Sequence, residues 1–216
     1  MSPQPPVVVL GSASPARLRV LRAAGLDPRV MVSHVDEDAV VAELGPDTAP
    51  STVVTRLAEA KADAVARMLV DSTDVPPDAV VIGCDSMLLL DGRLSGKPHT
   101  ADVARAHWRS VRGRSAELMT GHCVLRVSAG SVTARARESS STVVRFSDAD
   151  DATIDAYVAS AEPLEVAGGF TLDGLGGWLI DGIDGDPSSV IGIGLPLVRR
   201  LLGEVGVAVA DLWSTG

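Results

Sequence analysis

The apolar positions along this chain change period several times, and each change marks an element. Val7-Val8-Val9-Leu10 is an unbroken apolar run that predicts a buried strand. Gly11-Ser12-Ala13-Ser14 follows, and Pro15 opens a helix through about Ala24, with Ser14 as N-cap, Pro15 at N1 and Gly25 as the C′ stop. A second strand is expected near Val30 to Val32, ahead of an acidic cluster, Asp36-Glu37-Asp38. Val54, Leu57, Ala58, Lys61, Ala62 and Val65 fall at helical spacing, so a helix capped by Ser51 runs to about Leu69. The polar stretch Asp71 to Asp78 leads into an apolar strand, Val80-Val81-Ile82-Gly83-Cys84-Asp85, which is expected to end at Asp85. Asp91-Gly92 marks a hairpin turn inside Leu88 to Leu94.

Asp102 to Val111 reads as a helix, and two long β-like runs, Leu118 to Val127 and Val132 to Phe146, are joined by a turn at Ala129-Gly130. Ser147 or Asp148 is placed to cap a helix through about Ser160. Nine of the 21 glycines lie between Gly168 and Gly194, a density suited to turns and close backbone approach rather than to helix. Leu195-Pro196-Leu197 then starts a last helix. Strands alternating first with helices and then with a hairpin predict an α/β fold with a mixed twisted sheet, as one domain over 1–216 in two lobes with a central cleft and no separate linker.

Composition narrows the function. Aromatic residues make up only 3% of the 216 residues, so aliphatic side chains must fill the core and stacking of bases on aromatic platforms is not expected. A net charge of −9 argues against a nucleic-acid polymer or an anionic membrane as partner, since both need a broad basic field. Two cysteines are too few for a disulfide framework. No apolar stretch nears the roughly 20 residues that span a bilayer, and Met1 to Leu10 reads as neither signal peptide nor anchor, so a cytoplasmic protein is expected.

Three places carry candidate chemistry. Of the 19 Lys and Arg residues only two, Lys61 and Lys97, are lysine. A retained ammonium in an arginine-rich chain suggests a need for a compact point charge, as at phosphate, although chance retention gives the same pattern. Lys61 lies near an apolar stripe, where it either snorkels to solvent or reaches a ligand. Gly11-Ser12-Ala13-Ser14-Pro15-Ala16-Arg17 is a strand, a small-residue loop and a helix N-terminus, which is either a capped helix or an anion site. Arg17 in that first turn opposes the helix dipole unless an anion sits there. Asp85 is either a turn-forming residue or a group that holds a hard cation or takes a proton from water. No Walker motif, Gly-x-Ser-x-Gly elbow or metal-spaced histidine pair occurs.

In order along nearly the whole chain these residues resemble the Maf (septum formation) family of nucleoside triphosphate pyrophosphatases. Leu10-Gly11-Ser12-Ala13-Ser14-Pro15-Ala16-Arg17 is similar to the family's opening loop, Val35-Asp36-Glu37 to its acidic motif, and Leu57-Ala58-Glu59-Ala60-Lys61-Ala62 to its LAxxKA helix. Ile82-Gly83-Cys84-Asp85-Ser86 resembles IGADT, and Gly96-Lys97-Pro98 keeps GKP. Later matches are Thr120-Gly121, Tyr157 with Glu162-Pro163, Ala167-Gly168-Gly169-Phe170, and Gly185-Asp186 with Gly194-Leu195-Pro196.

The resemblance implies hydrolysis of a nucleoside triphosphate, canonical or noncanonical, to the monophosphate and pyrophosphate with Mg²⁺ or Mn²⁺, in the fold shared with inosine triphosphate pyrophosphatases and often as a homodimer. Asp85 would activate water, with Asp85, Asp36 and Glu37 as metal ligands. Arg17, Lys61 and Lys97 would grip the triphosphate, and Ser12, Ser14, Ala16, Ser86 and Asp173 would line the substrate site. In the subfamily acting on dTTP and UTP the residues at Ala16, Ser86 and Asp173 are Arg, Thr and Gln, and in that acting on 7-methyl-GTP they are Trp, Gln and Glu. This chain matches neither set, which implies a broad or unassigned base preference. The rival reading is a nucleotide-binding regulator of septation without turnover. A γ-phosphatase, releasing orthophosphate, is a third.

Overall fold

The computed structural model describes residues 5–214, so the first part of the Met1 to Leu10 stretch lies outside the described residues. Strands β1 (Val7–Leu10), β2 (Arg29–Val30), β3 (Asp78–Leu90), β4 (Arg93–Ser95), β5 (Ser115–Ser128), β6 (Ser131–Phe146) and β7 (Ile180–Asp184) alternate with seven described α-helices. These are α1 (Pro15–Ala23), α2 (Glu37–Leu44), α3 (Pro50–Val70), α4 (Ala101–Val111), α5 (Asp151–Ala159), α6 (Pro187–Ile191) and α7 (Leu195–Glu204). The strand order is β2-β1-β3-β5-β6-β7, with β4 also on β3. β1 pairs in parallel with β2 and β3, whereas β4 and β7 pair antiparallel with β3 and β6, so the sheet is mixed as expected. Among the described residues no helix is long and apolar enough to cross a membrane.

The chain divides into two compact units, and β3, β5 and β6 each contribute one stretch to both. The first unit comprises the chain up to Asp85, Thr120–Ser140 and everything from Gly192. Alternation along its strands sends side chains to opposite faces. Val8, Leu10, Val80, Ile82 and Cys84 pack with Leu21 of α1 and with Leu197, Val198, Leu201 and Leu202 of α7. Val9, Ala79, Val81, Cys123 and Leu125 face the other way, onto Ala58, Ala62, Val65 and Leu69 of α3. The second unit, Ser86–Met119 with Ser141–Ile191, has its own core around fully buried Trp108. The rings of Phe146 and Tyr157 meet that indole edge-on at 5.5 and 5.3 Å, a favoured aromatic geometry.

Several expectations need correction. β3 does not end at Asp85 but continues to Leu90, because its partner changes: β1 pairs with it only up to Ile82, and β4 takes over at Leu88. The polar residues between those two pairings read as a break. Asp85 therefore lies just beyond the parallel pairing, inside a strand. Ser51 is not the cap of α3; Ala49 holds that position, without a side-chain bond, and Pro50 starts the helix. Asp150, not Ser147 or Asp148, caps α5 through the Thr153 N–H at 2.8 Å. The acidic cluster is itself the start of α2. In the Gly-rich stretch, Ile180–Asp184 forms β7 and Pro187–Ile191 forms α6, since the glycines are unevenly spread and leave the latter segment glycine-free. Both hairpin turns stand as expected: Asp91, Gly92, Ala129 and Gly130 all adopt positive φ, as type I′ turns require.

Candidate active site

Helix α3 lies in direct backbone contact with the sheet of the first unit, and two glycines make this possible. A Cβ on Gly83 would sit 2.3 Å from the Ala58 carbonyl oxygen, and one on Gly121 would sit 2.1 Å from that of Val54. Real Cβ atoms do not approach backbone so closely, so only glycine fits at either place. Gly83 and Asp85 share the sheet face of Val81, which α3 covers, and Lys61 on α3 is thereby brought over Asp85.

Lys61 Nζ donates to Asp85 Oδ1 at 2.5 Å and lies 2.8 Å from Glu37 Oε1 at the start of α2. The Lys61 and Asp85 side chains are only 11% and 8% exposed, so this lysine does not snorkel; it is buried against two carboxylates. Asp36 is engaged differently. Its carboxylate caps α2 by accepting from the Ala39 N–H at 3.0 Å, which leaves Glu37 as the acidic-cluster residue that meets Lys61. Among the described residues no three His, Cys, Asp or Glu side chains gather as a metal cage. Asp85 and Glu37 nevertheless converge on one cationic point, a donor set suited to a cation that brings its remaining oxygen ligands with it.

The loop after β1 stands beside this pair. Ser14 caps α1 through the Arg17 N–H, and the Ser14 N–H donates to Ser12 Oγ at 3.2 Å. The Arg17 guanidinium donates to Ser12 Oγ at 3.0 Å, to the Cys84 carbonyl at 2.8 Å and to the Gly192 carbonyl at 3.0 Å. These acceptors hold the guanidinium at the Cys84 carbonyl, one residue before Asp85, and offset the conflict of a cation with the N-terminal end of the helix dipole. Ala16, the residue between Pro15 and Arg17, is half-buried. Burial pushes the Cys84 thiol up, against the opposing charge of Arg17, so Cys84 is a neutral packing group.

Sequence reasoning missed an ion-pair cluster on α3 two residues before Lys61. Glu59 of α3 is buried and receives Arg56 at 3.0 Å, Arg135 at 3.2 Å and Arg137, while Arg135 also meets Asp63 at 2.6 Å. Arg135 and Arg137 alternate on one face of β6, and that spacing was the available signal. His122 is one of four histidines whose spacing points to a structural or exposed role rather than to a metal, and it is of the structural kind. It is fully buried on β5, and its Nε2 accepts the Gly194 N–H at 3.0 Å.

Burial pushes His122 down to about 4, with the Arg17 charge acting in the same direction. The unfolded chain thus holds more protons than the folded one between the ordinary value of 6.5 and about 4. The stability this group supplies is complete above 6.5 and is lost as pH falls through that window. By linkage it amounts to about 2 kcal/mol between pH 7 and pH 5. Urea unfolding at the two pH values should show that loss in the wild type and its absence in His122→Gln; an equal pH slope in both would contradict it.

In the second unit the structure builds a separate seat for Lys97, which is exposed. The Gly168 N–H donates to the Gly96 carbonyl at 3.1 Å, and the Trp108 indole N–H donates to the Gly169 carbonyl at 2.8 Å, so the Gly96-Lys97-Pro98 turn rests on the Trp108 core. Ser86 continues β3 as the first residue of this unit. Asp173 is exposed on a loop clamped by Glu162, which accepts the Thr171 hydroxyl and the N–H groups of Leu175 and Gly176, the latter two at 3.2 and 3.1 Å. Burial raises the Glu162 carboxyl, but these bonds outweigh it and hold the group below the ordinary glutamate value.

A mixed sheet with helices on it, a small-residue loop at a helix N-terminus and the Lys61 ammonium on the mid-strand carboxylate of Asp85 make this an α/β protein with a buried charged site. The chain belongs to the Maf-like protein family, whose model matches residues 7–205. It is 66% identical over 206 residues to a nucleoside triphosphate pyrophosphatase of Nocardia farcinica, covering 95% of this chain and 96% of that protein. It is 63% identical over 207 residues to one of Rhodococcus jostii, with 96% of both chains covered. A third, of Mycobacterium marinum, is 55% identical over 209 residues, covering 96% of this chain and 97% of the relative.

Proposed function

We propose that this protein is a nucleoside triphosphate pyrophosphatase that cleaves between the α- and β-phosphates. The observation that carries the reading is the buried Lys61–Asp85 pair, with Glu37 at its edge and Arg17 held beside it. The names borne by relatives of high identity support the same reaction.

Lys61 fixes one oxygen of Asp85 and so orients the other, which takes a proton from the attacking water. Arg17, anchored through Cys84, Gly192 and Ser12, presents fixed positive charge to the triphosphate at the start of α1. Ser12 and Ser14 keep that loop closed. Asp85 and Glu37 would hold a divalent cation carried in by the substrate, whose chemistry is to neutralise charge on the departing pyrophosphate. Asp36 contributes by capping α2 and so setting the position of Glu37. On the family resemblance alone we assign Lys97 to phosphate and Ser86 and Asp173 to the base, and we take the protein to be a cytoplasmic homodimer.

The test is turnover of a panel of standard and modified nucleoside triphosphates with Mg²⁺ or Mn²⁺, scoring pyrophosphate against orthophosphate. Pyrophosphate with several bases is expected. Orthophosphate alone would make the protein a γ-phosphatase, and one base cleaved about 100-fold faster than every other would overturn the broad preference.

A further inference from the structure

We infer that His122 is a positioning residue for triphosphate binding, acting through the Gly192–Gly194 loop on Arg17. The inference rests on the reading that Arg17 grips the triphosphate.

The connection is continuous within the first unit. Gly194 donates its N–H to His122 Nε2 at 3.0 Å, two residues after Gly192 accepts from Arg17 Nε at 3.0 Å. Ile193 between them is fully buried in the core, so the segment is held on both sides and beneath. A Cβ on Gly192 would stand 3.1 Å from both the Arg17 backbone nitrogen and its Cγ, so the loop lies flat on that residue. Moving the loop therefore moves the acceptor that aims the guanidinium.

His122 is suited to the task by one property, a fully buried acceptor nitrogen. The Gly194 N–H requires Nε2 to be unprotonated, which places the proton of the neutral ring on Nδ1. An apolar side chain of similar size would leave the Gly194 N–H buried without this partner. The loop would then rearrange, and the Gly192 carbonyl with it. Glutamine keeps an acceptor at the place of Nε2, whereas asparagine is too short to reach it.

The experiment measures binding of inorganic tripolyphosphate by calorimetry in the wild type, His122→Leu, His122→Gln, Arg17→Ala and the His122→Leu/Arg17→Ala double variant. Tripolyphosphate has no base and reports the phosphate grip alone. Arg17→Ala is expected to weaken binding about 10-fold or more, and His122→Leu about 5- to 10-fold. His122→Gln is expected to restore it to within about twofold, and the double variant to match Arg17→Ala, because the two residues act in series. If His122→Leu does not fold, His122→Asn takes its place in every arm. Unchanged affinity in that variant, failure of glutamine to restore it, or additive losses in the double variant would overturn the role of His122 alone. A wild type that does not bind tripolyphosphate, or an Arg17→Ala variant that binds it as well as the wild type, would overturn the Arg17 reading and this inference together.

Discussion

Replacing Asp85 by Asn is expected to lower kcat by about 10²- to 10⁴-fold, the usual worth of a positioned general base, while nucleotide binding survives. The substitution keeps the shape of the side chain and its place under α3 but removes the ability to take a proton. It also removes a negative charge beside Lys61. Glu37 at 2.8 Å remains to pair that ammonium, so the buried cation is not left alone and the fold should hold. Calorimetric binding of a nucleotide alongside steady-state turnover checks both halves. Turnover within a few-fold of the wild type would remove Asp85 from the mechanism. Intact binding in a wild-type protein that never turns over any nucleotide would favour a regulator that uses the same residues without catalysis.

The second large effect concerns stability. Gly121→Ala and Gly83→Ala would each drive a methyl group into the backbone of α3, 2.1 Å from the Val54 oxygen and 2.3 Å from the Ala58 oxygen. Neither neighbour is a flexible side-chain end, so helix and sheet must separate along their length. Overpacking against backbone lies at the upper end of the usual range, about 3 kcal/mol. The expected result is a fall in the urea midpoint of roughly 1 M or more without a change in slope. Activity should fall as well, because α3 carries Lys61 to Asp85. A change in stability below about 0.5 kcal/mol at both positions would mean that the helix has room to move, contrary to the geometry.

Much of this arrangement is legible in the sequence because local rules agree with the fold. The run Val7 to Leu10, the Ser14–Pro15 helix start and the two turns at Asp91-Gly92 and Ala129-Gly130 are each dictated by residues within a few positions. What was not legible depends on partners distant in the chain. That β3 runs through Asp85 follows from a handover between β1 and β4, which no local pattern encodes. Whether Lys61 snorkels or is buried depends on Asp85, 24 residues away, and on how closely two glycines let α3 approach. The division of labour between Asp36 and Glu37 could not be read from adjacent acidic residues, because it rests on which of them faces out of the first turn of α2. The bonds of Arg135 and Arg137 to Glu59 and the His122 contact join residues more than 70 positions apart.

The phosphorus that the water attacks decides the reaction most directly. Hydrolysis in ¹⁸O-labelled water, with mass analysis of both products after a single turnover, reads this without assuming which base is preferred. Attack at the α-phosphorus, with pyrophosphate as leaving group, places the label in the nucleoside monophosphate, and that is the predicted result. Label in the pyrophosphate would mean attack at the β-phosphorus and would contradict the assignment of Asp85 as the base that directs water to the α-position.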